Sequence, residues 1–277
     1  MSAAQPATAS PEKIALEFDL PAPPQSLARL AVLMREPDVD LITVAAVVEN
    51  DLSFAAAVMK AVNSPLYGLR GSVQSVQQAV TYLGVRELTA IVYEHGLRQA
   101  FPPVPALHAL WDRARRRGML MGRLAQALAM EAWGAHSAGL FEECGKAVLF
   151  RHRPEAYLPL WQAAGEDDTA LVEAEKAAFG IGHDELGARL CEHWGLSPAA
   201  VASVRFHVQV QAQHHLPRVA HRYVCVLSAL ADTVMKDPDR LEAVAARLAP
   251  QAMLDQTSLL RGLQRVRSRL DEVVNAP

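Results

Sequence analysis

Closely spaced cysteines, long apolar runs and an excess of charge of one sign are all missing from this sequence, and each absence excludes a class of protein. The three cysteines (Cys144, Cys191 and Cys225) are an odd number with no Cys-x-x-Cys spacing, which fits neither a disulfide framework nor a cysteine zinc site. The longest apolar stretches fall far short of the ~20 residues that a membrane helix needs. The 27 lysines and arginines against 30 acidic residues leave a net charge of −3, so no overall basic field would attract nucleic acid.

The amino terminus also lacks a positively charged start followed by an apolar segment, so no secretory signal is visible. Together with the cysteine pattern, this predicts a cytoplasmic protein whose cysteines are small buried side chains. Hydrophobic residues make up 51% of the 277 residues, which is enough to build a folded core. The length allows one large domain or two modest ones.

Signals for β-hairpins are scarce as well, and the periodicity that is present predicts an all-α fold. Asn-Gly, Asp-Gly and Gly-Gly are absent, whereas apolar residues such as Leu27, Leu30 and Leu33 recur at helical spacing. Asp51 and Ser75 stand where N-caps would, and Gly84 where a short helix would end. Farther along, the pattern predicts uninterrupted helices over Trp111–Trp133 and Leu140–His152.

Proline-rich stretches divide the chain. Residues 1–19 are rich in Pro, Ala and Ser and are expected to form a disordered leader. Pro102-Pro-Val-Pro105 is the strongest internal break, so we predict one helical subdomain over 20–105 and a second over 106–236. Residues 237–277 are expected to form a C-terminal helical extension.

Glu142-Glu143 is the most informative pair, because two adjacent carboxylates between apolar flanks need a partner if they are buried. They could bind a hard cation such as Mg²⁺ or Mn²⁺, or they could pair with the basic cluster Arg113-Ala-Arg115-Arg-Arg117, or one of them could face water. The cluster itself could hold a phosphate, but a solvated helix face with one or two ion pairs is the commoner outcome.

His183 and His207 are the two histidines on helix faces that otherwise point inward. Metal binding or acid–base chemistry would require them to converge with carboxylates. The simpler interpretation is a buried histidine whose hydrogen bonds are satisfied.

A series of motifs in fixed order resembles the HDOD family, the HD-related output domain of bacterial signalling. The N-terminal motifs are Leu20-Pro-x-Pro, Glu49-Asn-Asp51, Ala61-Val-Asn-Ser-Pro-Leu-Tyr-Gly68, Ser75-Val-x-x-Ala79-Val and Leu83-Gly84. The C-terminal motifs are Leu140…Gly145-Lys146, Gly182-His183-x-x-Leu-Gly187-Ala and Trp194-Gly-Leu-Ser-Pro198. The motif residues that we single out are Asn63, Ser64, Pro65, Gly68, Gly84, Gly145, Lys146, Gly187 and Trp194.

The resemblance implies two packed helical subdomains, the second related to the HD phosphohydrolases. In those enzymes a His, a His-Asp pair and a later Asp hold divalent metal for phosphoester hydrolysis. Here Glu142-Glu143 aligns with the His-Asp pair, and the first His falls in the helix that carries Arg113 and Arg117. The double His that often ends the HDOD motif is His207-Val208. We therefore expect Arg113 or Arg117 to pair with Glu142 or Glu143 in place of the metal.

The function that the resemblance implies is a non-catalytic signalling module acting through protein contacts, in cyclic-di-GMP or two-component pathways that control motility, attachment or stress response. Its expected partners are other signalling proteins (cyclase, EAL, response-regulator or kinase components), homodimerisation stays open, and neither a cofactor nor a metal is expected. One alternative is a divergent metal-dependent phosphodiesterase using Glu142, Glu143, His183 and His207. Another is a nucleotide-binding sensor without turnover, in which Arg113, Arg115, Arg116 or Arg117 grips a phosphate.

Overall fold

The computed structural model describes residues 18–34, 39–64 and 72–274, with side chains up to residue 266. Within these ranges all regular secondary structure is helical, which confirms the predicted all-α fold. The first part of the chain forms α1 (Gln25–Leu33), α2 (Leu41–Glu49), α3 (Leu52–Val62) and α4 (Val76–Gln99). The remaining α-helices are α5 (His108–Ala127), α6 (Ala132–Phe141), α7 (Cys144–His152), α8 (Pro154–Ala164), α9 (Asp168–Phe179), α10 (His183–His193), α11 (Pro198–Gln213), α12 (Tyr223–Lys236), α13 (Leu241–Leu248) and α14 (Gln256–Val274).

The N-terminal helices begin where their capping residues predict. The carboxylate of Asp51 accepts hydrogen bonds from two backbone N–H groups in the first turn of α3, and the Ser75 hydroxyl accepts one in the first turn of α4. Gly84 lies inside α4 with φ +78°, a conformation that glycine adopts at little steric cost. A kink at Gly84 therefore divides α4, close to the helix end predicted there.

Two predicted helices are each broken in two. The Trp111–Trp133 prediction was wrong because α5 ends at Ala127 and α6 begins at Ala132, where the Glu131 side chain caps the first turn. The Leu140–His152 prediction was wrong because α6 ends at Phe141 and α7 begins at Cys144. Nearly every residue of α6 and α7 is buried. Because neither helix alternates between a buried and an exposed face, hydrophobic periodicity does not reveal the break between them.

Two hydrophobic clusters fill the interior. The first combines buried side chains from residues 18–114 with those from residues 140–204. The helices on both sides of Pro105 therefore share a core, in which the rings of Phe101 and Trp111 pack with centroids 5.5 Å apart. The second cluster joins α5 and α6 to α11–α14 and includes Leu259 and Leu263. The described part of the C-terminal extension thus packs against the rest of the fold.

The start of the described chain is packed as well. Residues 1–17 of the predicted leader lie outside the described residues. Phe18 is buried with its ring 4.9 Å from that of His152, and Asp19 pairs with Arg151 at 2.9 Å. Residues 18 and 19, which the prediction assigned to the disordered leader, are therefore part of the packed fold.

Several family-motif residues stabilise turns and close helix contacts. The Asn63 side chain donates to the Val73 carbonyl at 3.0 Å and accepts from the Val73 N–H at 2.8 Å, which fastens the loop before α4 to the end of α3. Trp194 Nε1 donates to the Pro21 carbonyl at 2.7 Å. Pro65 and Gly68 lie outside the described residues.

Gly145 is the point of closest approach between α7 and α10. A Cβ placed on Gly145 would overlap the backbone of His183 and Gly187. Because neither backbone segment can move aside as a flexible side chain could, only glycine fits there. This contact holds the start of α10 against α7.

No single helix among the described residues is long and apolar enough to cross a membrane. The pair α2 and α3 passes by length and composition together, but the two helices are bent by 114° at their junction. Their buried residues, including Val48 and Val58, belong to the first hydrophobic cluster.

The three cysteines are all buried and unpaired by disulfides, which agrees with their predicted role as small interior side chains.

Candidate functional site

The junction between α6 and α7 carries two glutamates into the interior. Glu142 and Glu143 occupy this junction and are 0% and 3% exposed. Arg117, in the middle of α5, is 1% exposed and faces both of them. Burying an ion costs several kcal/mol, so charges in this position require close partners of opposite sign.

The guanidinium of Arg117 contacts three carboxylates. Its Nη1 donates to Glu143 Oε1 at 2.9 Å, and its Nη2 donates to Asp232 Oδ1 of α12 at 3.3 Å. Its Nε lies 3.0 Å from Glu142 Oε1, an ion-pair contact without the alignment of a hydrogen bond. Burial alone would lower the pKa of Arg117, but the surrounding carboxylates outweigh burial and raise it above its ordinary value. Arg117 therefore carries its charge in the interior.

Two further cations approach Glu143. Arg113 Nη2 donates to Glu143 Oε2 at 3.0 Å, and Lys146 Nζ lies 3.7 Å from the same oxygen. Burial would raise the pKa of Glu143, but the charges of Lys146, Arg117 and Arg113 outweigh it and hold the pKa well below its usual value. Glu143 is thus an ionised carboxylate surrounded by three cations.

Asp168, the first residue of α9, extends this network. Lys146 Nζ donates to Asp168 Oδ1 at 2.6 Å. Lys236 of α12 lies 3.1 Å from Asp232 Oδ1 and 3.9 Å from Asp168 Oδ2. Burial opposes the charge on Asp168, but Lys146, followed by His183 and His207, outweighs it and lowers the pKa of Asp168 to about 2.

The two inward-facing histidines meet on the other side of Asp168. The rings of His183 and His207 are 5.3 Å apart, and both side chains are buried. Glu175 of α9 accepts hydrogen bonds from the backbone N–H of His183 at 2.7 Å and from its Nδ1 at 2.8 Å. Tyr157 donates its hydroxyl to the other oxygen of Glu175 at 2.8 Å.

His207 is oriented by the backbone. Its Nδ1 lies 2.6 Å from the carbonyl oxygen of Val204, which can only accept, so Nδ1 is the donor. Burial lowers the pKa of His207, an effect that the nearby Glu142 only partly offsets. One donor atom from each of Asp168, His183 and His207 lies within 4.8 Å of the others. The Nε2 atoms of both histidines are buried and have no hydrogen-bond partner among the described residues.

The ligand set that the phosphodiesterase alternative required does not assemble. That alternative placed Glu142, Glu143, His183 and His207 around one metal, but the histidines group with Asp168 and the glutamates with Arg117. The phosphohydrolase metal does not fit among the glutamates, because a guanidinium 3.0 Å from one and 2.9 Å from the other already supplies the positive charge and would repel a cation.

The basic cluster of α5 is split between the network and the surface. Arg113 and Arg117 are engaged with Glu143, and Arg115 lies 3.9 Å from Glu94. Arg116 is exposed and lines a cavity of about 340 Å³ beside the network. The other polar residues around this cavity include Arg113, Lys146, Asp168, Asp232 and Lys236.

A larger groove of about 600 Å³ runs between α3, α4, α5 and α6. Its lining combines small and apolar side chains such as Ala57, Ile91 and Leu140 with charged ones such as Lys60 and Glu94. The groove therefore joins residues from both sides of the Pro102–Pro105 break.

Sequence reasoning missed Asp168, Asp232, Glu175 and Tyr157. One available signal was the position of Glu175 on the same helical face as the buried Leu171 and Val172. Another was Asp232, which follows the buried apolar residues of α12. Nothing local indicates that Tyr157 reaches Glu175 or that Asp168 reaches Lys146, because those contacts depend on how α7, α8 and α9 cross.

Comparison with known proteins identifies the fold. The HDOD domain matches residues 20–210 of the chain. An uncharacterised protein of Treponema pallidum (strain Nichols) is 27% identical over 216 residues, covering 77% of this chain and 41% of that protein. The chain thus spans about two fifths of the length of that curated relative.

Solved structures share this architecture. A protein of Shewanella amazonensis SB2B, named as a proposed phosphohydrolase, superposes with a TM-score of 0.71 at 21% identity over 94% of this chain and 96% of its own. A proposed signal transduction protein of Marinobacter aquaeolei VT8 gives 0.75 at 21% identity over 94% of this chain and 60% of its own. An HDOD domain protein of unknown function from Geobacter sulfurreducens gives 0.68 at 21% identity, covering 94% and 97%.

Proposed function

The chain belongs to the HDOD domain family, and from this premise we propose that it is a non-catalytic module of bacterial signal transduction that acts through protein contacts. The observation that carries the proposal is Arg117, whose buried guanidinium contacts Glu142 and Glu143. By the family resemblance, Glu142-Glu143 aligns with the His-Asp pair that holds a metal in the related HD phosphohydrolases. The Arg117 guanidinium compensates the buried carboxylates, as a metal ion would. Unlike a metal ion, it has no open coordination position for a substrate.

The proposed pathway and partners are those that the family resemblance implies. We place the module in cyclic-di-GMP or two-component pathways of the cytoplasm that control motility, attachment or stress response. Its partners would be cyclase, EAL, response-regulator or kinase proteins, or a second copy of the same chain. The groove between α3, α4, α5 and α6 is the proposed contact surface, because its lining combines apolar and charged side chains, as protein interfaces do.

An activity assay tests the non-catalytic part of the proposal. The purified full chain is incubated with cyclic-di-GMP and with bis(p-nitrophenyl) phosphate in the presence of Mg²⁺ or Mn²⁺, and products are measured. We expect no turnover above the protein-free control. Hydrolysis that disappears in a Glu143→Gln variant, with its fold verified by circular dichroism, would show that the chain is an enzyme.

A paired interaction assay tests the contact surface. Ala56 is exposed on the groove side of α3, and Ala246 is exposed on α13 outside the groove. Two-hybrid assays against the signalling proteins named above should yield a partner whose binding is lost with Ala56→Arg and retained with Ala246→Arg. Equal binding by both variants would exclude the groove, and no partner in any of these classes would count against the assignment to these pathways.

A nucleotide-binding sensor without turnover is the second candidate, favoured by the cavity that Arg116 and Lys236 line. Arg113 and Arg117 contact Glu143, which leaves Arg116 as the arginine best placed to meet a phosphate from solvent. Titration calorimetry with cyclic-di-GMP separates the two candidates. Binding that is lost in Arg116→Gln would support the sensor, and no binding would support the protein-contact module.

A further inference from the structure

We propose that Asp168, His183 and His207 form a mononuclear binding site for a divalent transition-metal ion such as Zn²⁺. The site is separate from the glutamate pair that Arg117 occupies, and it does not depend on the function proposed above. Its three side chains come from three different helices: Asp168 begins α9, His183 begins α10, and His207 lies in α11.

The hydrogen bonds of the histidines determine which nitrogen faces the site. His183 Nδ1 is bonded to the Glu175 carboxylate, and His207 Nδ1 is bonded to the Val204 carbonyl. Since both partners are acceptors, each Nδ1 carries the proton and each Nε2 presents a lone pair. Both Nε2 atoms are buried and without a hydrogen-bond partner among the described residues, although buried polar groups are nearly always paired. A single cation bound between these two buried acceptors would satisfy both of them.

The surrounding groups match those that usually support metal-bound histidine. A ligating histidine commonly donates its other N–H to a carboxylate or a backbone carbonyl, which fixes the ring orientation and increases its basicity. Glu175 provides the carboxylate for His183, and Val204 provides the carbonyl for His207. Glu175 is itself held by the Tyr157 hydroxyl. The orientation of both rings is thus set before any ion binds.

The donor set indicates the class of ion. Two imidazole nitrogens and one carboxylate oxygen suit Zn²⁺, Co²⁺, Ni²⁺ or Fe²⁺, whereas Mg²⁺ and Ca²⁺ prefer oxygen ligands. Three protein ligands are the number found in zinc sites that keep one open position. Asp168 also lines the cavity of about 340 Å³, so the site lies beside a path to solvent.

The nearby lysine does not exclude a cation. Lys146 donates to Asp168 Oδ1, but a carboxylate has two oxygens and about four lone-pair positions. Asp168 can therefore accept a hydrogen bond from Lys146 and bind an ion at the same time. The surrounding carboxylates number five and the cations four, which leaves one net negative charge before an ion binds. The carboxylates are those of Glu142, Glu143, Asp168, Glu175 and Asp232, and the cations are Arg113, Arg117, Lys146 and Lys236.

Asparagine variants test the site with little disturbance of the fold. The side-chain nitrogen of Asn occupies nearly the position of histidine Nδ1, so His183→Asn and His207→Asn retain the bonds to Glu175 and Val204 and delete Nε2 alone. His215→Asn is the matched control, because His215 is exposed in the segment that follows α11. The full chain is stripped with EDTA, dialysed and titrated with Zn²⁺ against a chromophoric chelator, and with Co²⁺ by absorption spectroscopy.

We expect one equivalent of Zn²⁺ per wild-type chain, and an affinity at least about 100-fold weaker in each of His183→Asn and His207→Asn. The His215→Asn protein should bind as the wild type does. Glu175→Gln, a change at a positioning residue, should weaken binding by about 10–100-fold and alter the Co²⁺ spectrum. If wild type binds no metal, or if the two site variants bind as tightly as wild type, the proposal is wrong.

Circular dichroism in EDTA establishes whether the site variants fold. If the site variants do not fold, the wild-type Co²⁺ complex provides the test of the site. Intense d–d bands that saturate at one equivalent, with two imidazole ligands by X-ray absorption, would support the site, and weak bands typical of hydrated Co²⁺ would overturn it. Zn²⁺ binding without phosphodiester hydrolysis would leave the proposed non-catalytic function intact, so the two proposals fail independently.

Discussion

Removing the charge of Arg117 should destabilise the protein severely, because three carboxylates would lose their shared partner. The side chain is 1% exposed and contacts Glu142 at 3.0 Å, Glu143 at 2.9 Å and Asp232 at 3.3 Å. Breaking a buried ion pair by deleting one partner costs about 3–5 kcal/mol. For a chain of this size we expect Arg117→Gln to lower the melting temperature by roughly 10 °C. A charge reversal to Glu should lower it further.

Arg113 provides the matched control on the same helix. Arg113 contacts Glu143 at 3.0 Å, but its side chain is 37% exposed, and exposed pairs contribute only about 0–1 kcal/mol. Differential scanning calorimetry of Arg113→Gln should therefore show a small shift. A double variant, Arg117→Gln with Glu142→Gln, should recover part of the loss because one unpaired charge is removed. If the melting temperature of Arg117→Gln equals that of the wild type, the charge network does not stabilise the fold and our reasoning is refuted.

The pH dependence gives an independent check on the same network. Burial opposes the charge on Glu143, but Lys146, Arg117 and Arg113 hold its pKa well below the ordinary 4.5. Since the folded-state pKa is the lower one, this stabilisation is fully present above about pH 4.5 and is lost as the pH falls through the folded-state value. In Arg117→Gln the pKa of Glu143 rises, so acid unfolding should begin at a higher pH. An acid-unfolding curve identical to that of wild type would contradict this account.

Three further substitutions and one control probe the packing and the polar groups of the interior. Gly145→Ala should destabilise the fold by about 3 kcal/mol or more in urea unfolding, because the new methyl overlaps the backbone of α10. In Gly262→Ala the new methyl meets only side-chain atoms, the nearest being Leu124 Cδ1 at 3.2 Å, so this control variant should not be destabilised. Burial lowers the pKa of His136 to about 4 from 6.5, so wild-type stability should increase from pH 4 to pH 6.5. His136→Gln should flatten part of that increase in a series of melting curves. Tyr157→Phe removes a hydrogen bond to the buried carboxylate of Glu175. It should lower the free energy of unfolding, measured in urea, by about 1–3 kcal/mol. An unchanged free energy of unfolding would show that the hydroxyl does not donate this bond.

Much of the local structure could be read from the sequence. Helical periodicity, the caps at Asp51 and Ser75 and the glycine at Gly84 each involve residues within a few positions of one another, so sequence order carries the information. The same holds for the inward faces that carry His183 and His207. Where both flanking helices are buried on nearly every side, as at the junction of Phe141 and Cys144, the pattern loses its contrast.

The site illustrates the limit of that local information. The sequence alone determined that Glu142 and Glu143 lie among apolar neighbours and therefore need a partner. The sequence does not show which cation pairs with them. Arg117 does so because α5 crosses the junction of α6 and α7, and the contact between Arg117 and Asp232 joins residues 115 positions apart. The meeting of Asp168 with the two histidines likewise depends on three helices packed at once. Amphipathic spacing fixes which side of a helix is buried, but the register and crossing angles that select its partners arise only when all the helices pack together.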